Sequence, residues 1–180
     1  MSIEIEKKYR LDVEKRERVL ASLQESGAEY AGREFEENTI YSNDQLRSTA
    51  AILRVRKTND RTILTYKRRV QSDFDVKEQI EHETEVANFQ AIESIIGELG
   101  LSPVLVYEKY RDTWRFRSVE IVIDELPFGL FMEIEGKITS IKEAEILLDL
   151  EDLETVHETY PRLTAKFGTE INGVVESRFV

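Results

Sequence analysis

Residues 3 to 11 alternate without a break. Ile3, Ile5, Lys7, Tyr9 and Leu11 fall on one side of an extended chain, and Glu4, Glu6, Lys8 and Arg10 on the other. A strand with one apolar and one ionic face must bury the first and hydrate or neutralise the second. The same division recurs along the chain. Arg54 and Arg56 stand two apart in ILRVR, Lys67 and Arg69 in LTYKRR, and Lys109 and Arg111 in YEKYR, so each pair projects from one face. Glu81, Glu83 and Glu85 form a row, as do Glu133 and Glu135. The opposite faces carry Leu53 and Val55, then Val104, Val106, Tyr110, Trp114 and Phe116, then Ile121 and Ile123, and finally Met132 and Ile134.

Strands are predicted near 3–11, 34–42, 51–58, 61–69, 77–87, 103–116, 118–125 and 130–137. Asn59-Asp60 supplies turn chemistry between the third and fourth, and Pro127-Phe128-Gly129 connects the last two. Asp12 caps a first helix that Gly27 stops, and Asn88 caps a second ending near Gly100. From about Ser140 the pattern is helical, carrying Ile146, Leu147, Leu150 and Leu153, then Tyr160, Leu163 and Phe167 before Gly168. The last dozen residues carry no clear pattern. Eight mostly sequential strands suit a sheet that closes on itself and so removes its edges. A single charged row reads as a solvated outer face. Repetition in strand after strand, in a chain whose amphipathic helices need apolar surface to cover, argues that the charged faces point inward. The expectation is a mainly β (α+β) fold: an eight-stranded antiparallel barrel forming a charged tunnel, with helices packed outside.

At 180 residues, with 41% hydrophobic residues, the chain can bury a core without covalent staples, and one domain over 1–180 is expected. The absence of cysteine removes thiolate ligands, and the histidines are only His82 and His157, so a metal must be held mainly by oxygen. His82 alternates away from the Glu81 row and is set aside as a ligand, and Trp114 fits a core position better than a base-stacking platform. A net charge of −11 argues against nucleic acid and anionic membranes as partners. No apolar run approaches the roughly 18 residues of a membrane span, and the N-terminus is charged, so a cytoplasmic location is expected. Monomer and homodimer are both compatible with the sequence.

A charged tunnel is physically acceptable if it is hydrated, internally compensated and filled by ligand, because an unpaired buried charge costs several kcal/mol. The inward candidates balance: Glu4, Glu6, Glu81, Glu83, Glu85, Asp124, Glu133 and Glu135 against Lys8, Arg10, Arg54, Arg56, Lys67, Arg69, Lys109 and Arg111. Carboxylates without His or Cys suit Mg²⁺ or Mn²⁺, and Arg and Lys suit phosphate oxygens. Together they suit a metal-complexed polyphosphate.

In this order the motifs resemble the CYTH superfamily, the triphosphate tunnel metalloenzymes, which includes thiamine triphosphatases, inorganic triphosphatases and class IV adenylate cyclases. Glu4-Ile5-Glu6-Lys7-Lys8 looks like the family's ExExK signature, and LRVRK, LTYKRR, the alternating glutamates, YEKYR and IDELPFGLFMEIEG follow in sequence over most of 3 to 137. The resemblance implies that Glu4 and Glu6 bind metal, with Asp124, Glu133 and Glu135 as further ligands. Glu83 and Glu85 are candidates whose register against Glu81 is open. It implies that Arg54, Arg56, Lys67, Lys109 and Arg111 hold a triphosphate, with Lys8 beside it. Glu4, Glu6 and Lys8 are the catalytic candidates, a glutamate or Lys8 helping to deprotonate water. The implied activity is metal-dependent hydrolysis, with Mg²⁺ or Mn²⁺, of a small-molecule triphosphate, either inorganic tripolyphosphate or an organic one such as thiamine triphosphate. The alternatives are a class IV adenylate cyclase, whose adenine site the sequence does not reveal, and a non-catalytic polyphosphate-binding module.

Overall fold

The computed structural model describes residues 2–70 and 77–180, with side chains described for 5–68 and 79–180. The alternating segment forms β1 (Ser2–Leu11), and the Asp12 carboxylate accepts from the Lys15 amide at 2.8 Å to start α1 (Val13–Glu25). β2 (Glu29–Ser42) begins five residues before its expected start and absorbs a register shift between Tyr30 and Gly32. Asn43 then caps a short α2 (Asp44–Ser48) that periodicity did not reveal, since a helix this short carries no repeat. β3 (Ala51–Lys57), β4 (Thr62–Val70) and β5 (Lys77–Glu85) follow, and Asn88 caps α3 (Phe89–Glu98) as expected. β6 (Ser102–Phe116), β7 (Val119–Leu126) and β8 (Gly129–Glu135) complete the anticipated strands.

Pairing runs from β2 through β3, β4, β5, β1, β8 and β7 to β6, every step antiparallel, and β6 pairs back onto β2 from Glu29↔Arg115 to Ser42↔Ser102. These strands therefore form a barrel-like ring with an inside and an outside. Tyr9, Leu11, Trp114, Phe116, Ile121, Ile123, Met132 and Ile134 face outward and are buried with Val19 and Leu23 of α1 and with Ile141 and Ala144 of α4 (Ile138–Leu147). Leu150 and Leu153, expected on a helix, lie in the turns after α4 yet join the same cluster. α3 covers Tyr41 and Val55 on another part of the exterior. No helix among the described residues is long and apolar enough to cross a membrane.

The C-terminal quarter adds what the sequence did not disclose. α5 (Tyr160–Phe167) is not an outer helix like the others. The inner face turns apolar at one end, where Ile40, Leu105, Tyr107, Leu126 and Phe131 meet Val156, Tyr160 and Leu163, so α5 closes that end. β9 (Thr169–Ile171) and β10 (Val174–Ser177) then form a hairpin about Asn172-Gly173, whose φ angles of 52° and 82° fit the tight turn that Asn-Gly favours. β10 pairs parallel with Leu105–Tyr107 of β6, beyond the reach of β7 on that edge.

Candidate functional site

Register fixes which side chains share the interior. Across β1, β8 and β7, Glu6 lies opposite Glu135 and Glu135 opposite Glu120; one step along, Lys8 lies opposite Glu133 and Glu133 opposite Val122. Across β3 and β4, Arg54 lies opposite Thr65, which lies opposite Glu83 on β5, while Lys67 lies opposite Glu81. The result is a cavity of about 510 Å³ lined by Glu6, Lys8, Arg54, Arg56, Lys67, Glu81, Glu83, Lys109, Arg111, Glu133 and Glu135. Of the other residues anticipated from sequence, Glu85 is exposed and does not line the cavity, and Asp124 is fully buried behind Arg111. Glu4 and Arg69 lie outside the residues whose side chains are described.

The basic residues are not equally engaged. Arg111 grips Asp124 through Nε at 2.7 Å and Nη2 at 2.6 Å, and Nη2 also donates to Glu133 at 2.8 Å. Lys109 sits 3.4 Å from both Glu36 and Asp124. Lys8 stands 3.1 Å from Glu133, donates to the Glu158 carbonyl at 3.3 Å and lies 3.5 Å above the Tyr160 ring. Lys67 pairs with Glu81 at 2.7 Å. Arg54 donates to Thr65 Oγ1 at 3.3 Å, whereas its Nε, like that of Arg56, is buried without a hydrogen-bond partner. Both guanidinium groups stand in the wall of the polar cavity, that of Arg56 with its Nε 3.6 Å from Glu36 Oε2.

Glu36 and Tyr160 are site residues that sequence reasoning missed. Burial alone would raise the Glu36 carboxyl, but Lys109, Arg56, Arg111 and Arg54 outweigh it and hold it well below the usual carboxylate range. Its alternation with Asn38 and Ile40 was readable, but one glutamate among EFEEN carries no mark of burial. Tyr160 donates to Asp124 at 2.7 Å, and burial with the adjoining Asp124 and Glu133 charges drives its hydroxyl well above its ordinary value. Only the return of α5 to the barrel end could reveal it. Burial and then Arg111 push Lys109 down, Asp124, Glu36 and Glu133 pull it up, and it comes to about 8. Burial and the neighbouring Arg54 lower Arg56. Asp124, Glu36 and Glu133 overcome burial to raise Arg111.

Fold and cavity together define a class: an antiparallel tunnel whose inner wall sets cations and carboxylates around one enclosed space. Residues 2–164 match the CYTH domain, and the chain belongs to that family, which includes triphosphatases. No curated protein sequence matches it. Among solved structures, the PH1012 protein from Pyrococcus horikoshii is similar with a TM-score of 0.77 at 24% identity, over 89% of this chain and 98% of that one. A putative adenylate cyclase from Vibrio parahaemolyticus gives 0.71 at 18%, over 91% and 98%. A Hippeastrum protein described as a putative adenylyl cyclase with a dominant triphosphatase activity gives 0.70 at 17%, over 97% and 100%.

Triphosphate tunnel enzymes of this family are metal-dependent. The donor set here fits a hard divalent cation: Glu6, Glu135 and Glu120 form a lateral row across three strands, all line the cavity and all offer oxygen. Among the described residues no trio of carboxylates already converges as a cage, so these side chains must draw together around a cation.

Proposed function

We propose that this chain is a metal-dependent triphosphatase that cleaves the terminal phosphoryl group of a triphosphate with water. The observation that carries the reading is the convergence of six cations, Lys8, Arg54, Arg56, Lys67, Lys109 and Arg111, on one cavity. Guanidinium groups bind phosphate oxygens in the plane of their fork, and a polyphosphate supplies enough oxygens to satisfy several at once. Glu6, Glu120 and Glu135, with Glu133 beside them, would hold Mg²⁺ or Mn²⁺. Such an ion neutralises charge on phosphoryl oxygens and acidifies water.

In hydrolysis the oxygen of water forms a bond to the terminal phosphorus while the bond to the bridging oxygen breaks, giving phosphate and a diphosphate and releasing one proton. Arg54, Arg56 and Lys109 would neutralise the oxygens of the transferring and leaving groups. Lys8 acts as a cation: its contacts with Glu133, the Glu158 carbonyl and the Tyr160 ring all use the ammonium as donor or positive charge. The proton therefore passes to a carboxylate such as Glu133 or Glu6 on its way to solvent. The Hippeastrum protein of the same fold is described with a dominant triphosphatase activity, so the fold is compatible with hydrolysis.

The test is phosphate release from tripolyphosphate with Mg²⁺ or Mn²⁺, with and without EDTA. Chelation should abolish turnover. Arg56→Ala should lower kcat/KM by about 10- to 100-fold, the loss of one charge-assisted phosphate contact, while Arg47→Ala, on the exposed α2 helix, should change little. Full turnover in EDTA, or equal small effects at both arginines, would defeat the reading.

A further inference from the structure

The pairing of β2 with β6 closes the ring, and within it two carboxylates stand directly opposite one another on the outer face, Glu37 of β2 and Glu108 of β6. Like charges in register push a strand pair apart. Their chain neighbours Glu36 and Lys109 are also in register and point the opposite way, Lys109 lining the cavity and Glu36 buried 3.4 Å from it. The outer repulsion and the inner ion pair therefore share the same steps of backbone. What offsets the repulsion comes from the segment that follows β10. That strand runs parallel to β6 with Glu176 beside Val106 and Ser177 beside Tyr107, which carries Arg178 to the level of Glu108. Its guanidinium crosses the outer face: Nη1 donates to Glu37 at 2.5 Å and to Glu108 at 2.9 Å, and Nε donates to Glu176 at 2.5 Å. The Phe179 amide donates to the second oxygen of Glu108 at 2.9 Å, and its ring packs 5.1 Å from that of Tyr110.

We infer that Arg178, oriented by Phe179, is a positioning residue for the phosphate-binding cations: it straps β10, β6 and β2 together on the outside and so fixes Lys109 and Arg111 against Glu36 on the inside. The inference rests on the triphosphate reading of the cavity and adds to it a residue on the far side of the barrel wall. Charge is the first support. Glu37, Glu108 and Glu176 all meet Arg178, and the other cation paired with them among the described residues is Lys57, 3.6 Å from Glu37. Without Arg178, three carboxylates would share one lysine. Burial alone would raise the Glu37 carboxyl, but Arg178 and Lys57 hold it below its ordinary value, so it keeps its charge in that contact. Geometry is the second. The donors of a guanidinium diverge in one plane, so a single side chain can reach carboxylates on three strands. Location is the third: this pairing makes a ring of the sheet, and Lys109 and Arg111 on β6 depend on Glu36 of β2 to one side and Asp124 of β7 to the other. A seam that opens between β2 and β6 takes Glu36 away from both.

The test uses the full chain with Mg²⁺ and tripolyphosphate. Arg178→Gln, checked for folding by circular dichroism, should lower kcat/KM about 3- to 10-fold, as a residue does that acts on a site it does not touch. Adding Glu108→Gln removes one of the opposed charges and leaves an oxygen for the Phe179 amide, so the double variant should recover to within about twofold of wild type. Raising KCl should narrow the gap between Arg178→Gln and wild type, because screening relieves the repulsion. Hydrogen exchange should quicken along 34–40 and 105–111, the paired stretch of β2 and β6, in Arg178→Gln and slow again in the double variant. Arg18→Gln, which breaks an exposed ion pair between α1 and Asp152, should leave turnover unchanged. Arg178→Lys keeps the charge without the fork and should lose less; it takes the place of the glutamine variant if that one unfolds. A folded Arg178→Gln with wild-type kcat/KM, or a loss without quickened exchange in the seam, overturns the strap and leaves tripolyphosphate hydrolysis standing. So does a loss that Glu108→Gln fails to relieve or that Arg18→Gln matches. Wild type that neither binds nor cleaves tripolyphosphate overturns the cavity's reading, and the positioning role with it.

Discussion

Glu36 shows how a buried charge can be both structural and poised for exchange. Its carboxylate lies 3.4 Å from Lys109, 3.6 Å from Arg56 and 4.0 Å from Arg111, so it supplies negative charge that an incoming phosphate would otherwise provide. Replacing it with glutamine keeps the shape and leaves those cations uncompensated, which should cost about 3 kcal/mol of stability. The pH dependence has a definite sign. The folded carboxyl is held well below its ordinary value of 4.5, so its contribution is fully present above that value and is lost as pH falls below it. Thermal melts from neutral pH downward should show wild type losing stability on acidification and Glu36→Gln, already lower at neutral pH, losing less. The same variant should bind tripolyphosphate more tightly, since phosphate no longer competes with a resident carboxylate. Identical melting curves for the two proteins would mean that Glu36 is not ionised at the hub.

At the scale of elements, α5 and the hairpin after it determine what kind of cavity the barrel has. Phe131 and Leu126 make the inner face apolar at one end, Tyr160 and Leu163 enter there, and Tyr160 presents its ring to Lys8 and its hydroxyl to Asp124. The helix is held against β10 at Gly168, where a Cβ would stand 2.7 Å from the carbonyl oxygens of Glu176 and Thr164. Gly168→Val should therefore push α5 and β10 apart at a cost of about 1–3 kcal/mol. Hydrogen exchange should quicken in α5 and β10 while β1 and β8 keep their protection; uniform quickening, or none, would contradict this anchoring. These contacts also mark where the sequence becomes hard to read. Alternation exposes Glu6, Lys8, Arg54, Arg56, Lys109 and Arg111 because period two is a local property of each strand. Tyr160 sits in a helix whose apolar pattern reads as ordinary packing, and nothing local says that the helix turns back into the barrel mouth. The Asn172-Gly173 hairpin had its turn signal, but strands of three and four residues are too short for alternation to register.

The molecule as a whole is a barrel turned inside out, and its stability and its chemistry are divided between the two faces of the same strands. Ile134 is fully buried in the outer layer, and its chain neighbours Glu133 and Glu135 line the cavity. Ile134→Asp places a charge in packed hydrocarbon and should cost more than about 4 kcal/mol, enough to unfold a domain of ordinary stability. Glu135→Gln, one residue along, should stay folded and lose metal-dependent turnover. An ordinary barrel with a solvated charged exterior would give the same loss of folding at Ile134, so the decisive measurement is linkage to ligand. A ligand bound only by the folded tunnel stabilises it by about 2.7 kcal/mol when present at a hundred times its dissociation constant. For a chain of this size that corresponds to a rise of about 5–10 °C in Tm. Mg²⁺ with tripolyphosphate should produce that rise in wild type, a smaller one in Glu135→Gln, and almost none when Arg54 and Arg56 are both alanine. Equal shifts in all three proteins would mean that the anion binds elsewhere, and no shift in any would mean that the inward cations serve only to balance the carboxylates beside them.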